Sequence, residues 1–256
     1  MKTIFLAGAH GKMGLAIQDM IEKQADFSLV GMLTTHRSLA AIEDGHGLAG
    51  LAAIFTTLES INTKADVWVD VTKPHVAFAN GKYALTHGYD LVMGTSGLKE
   101  TEVDQLRQLA EEQGQSALIV PNFSITAVLL MKYAAEAAAY LPAAEIIEAH
   151  HEDKVDAPSG TAVATAALIA EARQSLPDIP ASDALARGDQ SQGVPIHAMR
   201  LPGILAEETV IFGSTGETLT IKQSTNNRSA FMTGVREAIK NVDKITGLAV
   251  GLDKVL

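Results

Sequence analysis

TIFLAGAHGKMG, Thr3 to Gly14, begins as an apolar run and ends in three glycines spaced three apart. An uninterrupted apolar run of this length suits a strand buried on both faces, as in a parallel sheet. Beyond the glycines, Met13, Ile17, Met20 and Ile21 recur at i, i+4, i+7 and i+8, the spacing of one helix face. Gly8, Gly11 and Gly14 therefore fall between a strand and a helix. There a turn without side chains lets backbone N–H groups approach a pyrophosphate at the helix start. The spacing G-x-x-G-x-x-G is looser than G-x-G-x-x-G, and an ordinary tight strand-to-helix turn remains the alternative.

Working outward, FSLVGML (Phe27–Leu33), DVWVDV (Asp66–Val71), YDLVMG (Tyr89–Gly94) and SALIVP (Ser116–Pro121) read as further strands, with a helix ending at Gly114 before the last of them. Strands alternating with helices predict an α/β, doubly wound parallel sheet of Rossmann type. After Pro121 the pattern changes. Ile125–Leu141 reads as a helix apolar on most sides and hence buried, Ala144–His150 as a strand, and Thr161–Leu176 as a second Ala-rich helix. Pro177–Pro195 is the most loop-like stretch. Glu208–Gly213 and Glu217–Thr225 read as an antiparallel hairpin, and Ser229–Val242 as a closing helix. Two domains are expected: 1–122 plus 229–256 for a dinucleotide, and 123–228, an α+β mixed-sheet domain, for substrate and oligomerisation.

The 256 residues are 47% hydrophobic and 20% charged, a globular profile. Twenty Lys and Arg against thirty Asp and Glu leave a formal charge of −10 with no basic block, which argues against nucleic acid as a partner. Cysteine is absent, so thiol nucleophiles, disulfides and Cys-based metal sites are excluded. Glycines interrupt the first apolar run and nothing like a membrane span follows, so a cytoplasmic, non-membrane protein is expected.

An acid about 20 residues past the glycine turn would favour NAD by holding a ribose 2′-OH. Here the second strand leads into Thr34, Thr35, His36 and Arg37, whose hydroxyls and guanidinium suit a 2′-phosphate. NADPH is expected over NADH, with a merely decorative loop as the alternative. Ligands also sit beyond the carboxyl ends of parallel strands, where DVTKP (Asp70–Pro74) and GTSG (Gly94–Gly97) place small, hydroxylated residues such as Thr72, Thr95 and Ser96.

The most informative stretch is EAHHEDKVDAPSGTA, Glu148–Ala162. His150 and His151 could be inert, hydrogen-bonded strand residues. The run HHED could hold a metal, although neighbouring strand residues diverge and no partner spacing is visible. Acid–base work is the third reading, since imidazole titrates near neutrality and Lys154 supplies a charge for an anion. The run PSGTA favours it. Ser159 or Thr161 can cap a helix, and Gly160 leaves a backbone N–H open to a carboxylate.

This stretch resembles the signature of the 4-hydroxy-tetrahydrodipicolinate (dihydrodipicolinate) reductases, E-x-H-H-x-x-K-x-D-A-P-S-G-T-A. The resemblance extends through GAHGKMG, GTSG, PNFS (Pro121–Ser124), HAMR (His197–Arg200), GETLTI (Gly216–Ile221) and NRSAF (Asn227–Phe231). It implies a Rossmann domain hinged to a substrate domain, a homotetramer, and a role in lysine and diaminopimelate biosynthesis. It further implies that His150 is the proton donor with Lys154 as its companion, and that His151, Lys154, Ser159, Gly160 and Thr161 bind the substrate's carboxylates. Gly8, His10, Gly11, Lys12, Met13, Gly14, Thr34–Arg37, Thr72, Gly94, Thr95, Ser96, Pro121, Asn122 and Phe123 would hold NADPH, or NADH. No metal is implied.

The chain departs from that family at Val71, usually Phe, at Ile125-Thr126, where glycine is common, and at Glu208 and Gln223, where histidine is usual. Glu208 and Gln223 motivate the rival reading of a non-catalytic NADPH-binding sensor. A metal-dependent hydrolase built on His150, His151, Glu152 and Asp153 is a third.

Overall fold

A computed structural model describes residues 1–34, 52–177 and 187–256. These fall into two compact units, Met1–Phe123 with Phe231–Leu256, and Ser124–Ala230. No helix among the described residues is long and apolar enough to cross a membrane.

The first unit is built on a seven-stranded sheet, all of whose pairings are parallel. Its strands are β1 (Lys2–Ala7), β2 (Phe27–Leu33), β3 (Ala53–Phe55), β4 (Val67–Asp70), β5 (Asp90–Met93), β6 (Ala117–Ile119) and β12 (Leu248–Val250), in the order β12-β6-β5-β4-β1-β2-β3. The apolar run that opens the chain is an interior strand, with Ile4, Phe5, Leu6 and Ala7 fully buried. Phe5 stacks on Trp68 of β4 with centroids 4.4 Å apart, and Tyr89 meets the indole edge-on. The connecting helices include α1 (Lys12–Glu22), α2 (Pro74–Thr86) and α3 (Glu100–Gln113). Gly114 ends α3 in the left-handed conformation, and α6 (Ala230–Asn241) returns the chain to this unit.

At the first turn the glycines have separate tasks. Gly8 takes a φ of +85°, and a Cβ on Gly14 would lie 2.3 Å from the Gly8 carbonyl oxygen. Gly8 thus makes the turn, while Gly14 lets α1 close onto the end of β1.

The second unit carries a mixed sheet in the order β11-β10-β7-β9-β8. Its strands are β7 (Ala143–His150), β8 (Asp189–Ser191), β9 (Val194–Arg200), β10 (Ala206–Ser214) and β11 (Glu217–Thr225). Helices α4 (Ile125–Ala138) and α5 (Gly160–Ala172) cover one face. Their alanines pack with Leu130, Ile146, Ile169, Val210 and Phe212 into one core.

The structure corrects three sequence readings, one being the second Ala-rich helix, which ends at Ala172 rather than Leu176 because Arg173 turns to extended backbone. The loop expected over 177–195 contains β8 and the start of β9, joined through Gln192 and Gly193 at positive φ. Asp189-Gln190-Ser191 has no strand propensity, so pairing with β9 supplies what the local sequence withholds. The first helix of this unit stops at Ala138 rather than Leu141, and Leu129, Tyr133 and Tyr140 are exposed. A helix lying on a sheet buries one stripe, so apolar composition around its circumference did not mean burial all round.

Candidate functional site

In the first unit the carboxyl ends of β1, β4, β5 and β6 gather most of the residues expected to hold a nucleotide. A cavity of about 210 Å³ is lined by Met13, Thr72, Gly94, Thr95, Ser96 and Phe123, with Val71 and Pro74. Gly8, His10, Gly11, Lys12 and Gly14 form the turn and helix start beside Met13, and Pro121 and Asn122 follow β6. Gly11 caps α1 with no side-chain hydrogen bond, and the first turn contains no acid. The N–H groups there suit a pyrophosphate, so the residues present fit a dinucleotide. Thr34 is buried at the end of β2, its N–H bonded to the Phe55 carbonyl. Thr35, His36 and Arg37 lie outside the described residues.

Sequence reasoning missed the residue that organises this cavity. Asp70, fully buried at the end of β4, accepts from the Thr72 N–H (3.1 Å), the Thr72 hydroxyl (2.7 Å), the Thr95 hydroxyl (2.8 Å) and Asn80 Nδ2 (2.8 Å). Each hydroxyl has one proton, already donated to Asp70, so Thr72 and Thr95 meet a ligand as acceptors. The aspartate of DVT was visible, but nothing local tells a strand-end acid from a buried hub.

In the second unit, β7 delivers Glu148 and His150 to the same face of the sheet, since residues two apart share a side. Glu148 is fully buried. It accepts from His150 Nδ1 at 2.6 Å, from both terminal nitrogens of Arg200 at 2.9 Å, and from the Ser159 N–H at 3.2 Å. Burial pushes its carboxyl up, but the bonds and charges of Arg200 and His150 outweigh this and hold it below the ordinary glutamate value. An ionised carboxylate only accepts, so His150 carries its proton on Nδ1 and keeps Nε2 for exchange. Burial lowers the imidazole's pKa. The Glu148 contact opposes that, and the charges of Lys154 and Arg200 add to it.

The loop after His150 is held from inside by Arg200 of β9. Its Nε donates to the Lys154 carbonyl at 3.2 Å, and its terminal nitrogens donate to the carbonyls of Asp156 (2.7 Å) and Met199 (2.6 Å) besides Glu148. With all five donors engaged, Arg200 is a clamp rather than a ligand-seeking cation. The Lys154 ammonium reaches both Asp156 carboxylate oxygens at 2.7 and 2.8 Å. Ser159 caps α5 by accepting from the Ala162 N–H at 3.2 Å. At Gly160 an added Cβ would meet nothing within 4 Å, so the helix start is open. Thr161 occupies the first turn, and His151 is half-buried beside the loop. The stretch 148–161 thus combines an exchangeable imidazole, an ammonium and a helix start fit for a carboxylate. Among the described residues no three His, Asp or Glu side chains are grouped to hold a metal ion.

The dihydrodipicolinate reductase family models match the chain almost end to end, the N-terminal model over residues 2–123 and the C-terminal model over 126–256. The chain is 45% identical to the 4-hydroxy-tetrahydrodipicolinate reductase of Limosilactobacillus fermentum and 43% identical to that of Lactiplantibacillus plantarum, covering all of both chains in each case. It is also similar to a dipicolinate-bound dihydrodipicolinate reductase from Paenisporosarcina sp. TG-14, at 37% identity and a TM-score of 0.89 over all of both chains. A Mycobacterium smegmatis amine dehydrogenase, 14% identical with a TM-score of 0.71, covers all of this chain with 96% of its own and shares the fold alone. Fold, motifs and full-length relatives agree: the chain belongs to the dihydrodipicolinate reductase family.

Proposed function

We infer that this protein is an oxidoreductase that reduces 4-hydroxy-tetrahydrodipicolinate to tetrahydrodipicolinate with NAD(P)H, a step of lysine and diaminopimelate biosynthesis. The observation that carries the reading is the Glu148–His150 pair beside Lys154 and the open start of α5, in a chain that matches the reductases over its whole length. The unit built on the parallel sheet is the dinucleotide domain, 1–122 plus 229–256 in the sequence reading, and 123–228 is the substrate domain.

The reduced nicotinamide supplies the hydride. The glycine turn from Gly8 to Gly14 binds the pyrophosphate. Thr72 and Thr95, oriented by Asp70, accept hydrogen bonds from the ligand in the cavity that Phe123 borders. The 4-hydroxyl leaves as water with a proton from the adjacent carbon, and once the hydride has added His150 donates a proton from Nε2 to the carbon skeleton. Lys154, His151, the Ser159 hydroxyl and the backbone of Gly160 and Thr161 hold the two carboxylates. A substrate carboxylate replaces Asp156 as the partner of Lys154, exchanging one exposed ion pair for another anion at a small net cost. A localised cationic pocket of this kind also draws a dianion to a protein of net charge −10.

The test is a coupled assay. A synthase generates the unstable substrate from pyruvate and aspartate semialdehyde, and nicotinamide absorbance is followed with NADPH and NADH in turn. Rapid oxidation is expected. Cofactor binding without oxidation would replace this reading with a non-catalytic NADPH-binding sensor.

NADPH is the preferred cofactor in this proposal. Arg37→Ala is then expected to raise KM for NADPH by about tenfold or more, the loss of a charge-assisted phosphate contact, and to leave KM for NADH nearly unchanged. Equal effects on both would remove the 2′-phosphate argument. Asp70→Asn is expected to weaken both cofactors alike by about tenfold, because the amide nitrogen that replaces Oδ2 cannot accept from Asn80 Nδ2 and leaves a buried donor unpaired at about 1–3 kcal/mol, while the threonine hydroxyls lose a charged acceptor. Fluorescence titration of either reduced cofactor reads this directly. We further propose a cytoplasmic homotetramer, checked by light scattering coupled to size exclusion.

A further inference from the structure

The buried face of the mixed sheet holds a second carboxylate that the reductase reading leaves unused. Glu208 lies within β10 and is 2% exposed. It stands directly across from Glu148 on β7 and from Gln223 on β11. Opposite residues of an antiparallel pair share a face, with Cβ atoms about 4.5–5.5 Å apart. Two acids and an amide therefore form one row, one step inward from His150.

Their partners are shared unequally. Glu148 takes Arg200, His150 and the Ser159 N–H. Among the described residues Glu208 meets only the Thr165 hydroxyl of α5, and its Oε1 is buried with no hydrogen-bond partner. The other described groups facing this row offer it no cation. On β9, Arg200 has all five donors engaged. On β11 and α4, the hydroxyls of Thr225 and Thr126 turn to Gln223 Oε1 at 3.3 and 3.4 Å. The Thr165 hydroxyl donates its one proton to the Thr161 carbonyl at 3.0 Å, which leaves it a lone pair toward Glu208. A protonated Glu208 can donate to that lone pair, whereas an ionised one cannot. Burial pushes its carboxyl up to about 7, and the charge of Glu148 adds to the rise.

We propose that Glu208 is a positioning residue for the dicarboxylate site, acting through Glu148 and through Thr165 and Thr161: uncharged, it lets Lys154 and the start of α5 grip an anion, and ionised it opposes that anion, so that dicarboxylate binding draws a proton from solvent onto Glu208. The proposal rests on the reductase reading only in taking the ligand to be a dicarboxylate.

Calorimetric titration of the full chain with dipicolinate tests it, at several pH values and in buffers of different ionisation heat. At pH 8 the wild type is expected to take up as much as one proton more than Glu208→Gln. One linked proton weakens its affinity about tenfold for each pH unit above about 7, while the affinity of Glu208→Gln follows a flatter curve. Equal proton uptake with parallel affinity curves, or no binding at any pH, overturns the proposal. If those differences appear in a protein that oxidises no cofactor in the coupled assay, the reductase reading fails and the Glu208 assignment stands. Should Glu208→Gln not fold, carbon NMR of glutamate-labelled wild type decides: one buried carboxyl titrating near pH 7 and rising on dipicolinate binding supports the proposal, and its absence refutes it.

Discussion

Replacing His150 with glutamine is expected to lower kcat by about 10²- to 10⁴-fold, the usual contribution of a positioned proton donor, with KM for the reduced cofactor unchanged. Glutamine keeps a polar group of similar reach but does not titrate. The supporting frame survives the change, because Glu148 retains Arg200 and the Ser159 N–H. Stability should therefore fall far less than activity, and a transition-state interaction is the one lost. The pH dependence supplies the second readout. As the acid, His150 acts through its imidazolium form, whose population falls as pH rises. Its pKa lies below 6.5 because burial disfavours the charge, with Glu148 partly compensating. Wild-type kcat should thus decline with rising pH through the imidazole's pKa in the substrate complex, and the residual activity of the variant should lack that decline. Normal turnover in the variant would remove His150 from the proton-transfer role.

Arg200→Ala is expected to cost about 3–5 kcal/mol, because it strands a buried carboxylate without its cation, and to lower the melting temperature on the order of 10 °C. Glu148 is fully buried and loses two of its four bonds, while the carbonyls of Lys154, Asp156 and Met199 lose donors at the same moment. Lysine would rescue little, having no planar fork to match both carboxylate oxygens. The sign with pH follows from Glu148. Its folded pKa is held below the ordinary 4.5, so the stability it confers is present above that value and is lost as pH falls through the folded pKa. In the variant, burial acts without Arg200 and raises that pKa. The gap between wild type and variant should therefore be widest near neutrality and narrow in acid. Calorimetric scans at pH 7 and pH 4 measure both terms. A gap of the same size at the two pH values would show that Arg200 acts by packing alone.

Much of this was legible before any coordinates. The apolar run Thr3–Gly8 and the glycine spacing after it led directly to β1, the turn and α1. The periodic run from Lys99 to Gly114 led to α3 and its left-handed end. The stretch Glu148–Ala162 holds its imidazoles, its lysine and its helix cap within fifteen residues, so local spacing was enough to single out these groups, and the family resemblance supplied the roles expected of them. What stayed hidden was non-local. The polar stretch Asp189–Ser191 becomes a strand only when β9 pairs with it. The hydroxyls that Asp70 orders lie 2 and 25 residues away from it.

The linear sequence by itself determined the alternation of strand and helix, the glycine turn between β1 and α1 and the order of chemical groups around His150, because each depends on residues within a few turns of one another. Only the tertiary structure decided which of those groups are charged and aimed. Arg200 stands 52 residues from Glu148 and Glu208 stands 60 positions beyond it (208 − 148), yet strand register sets all three against the same small volume. Burial and pairing are properties of that volume and not of any segment. They make Glu148 an anion, set the tautomer of His150 and leave Glu208 without a cation among the described residues.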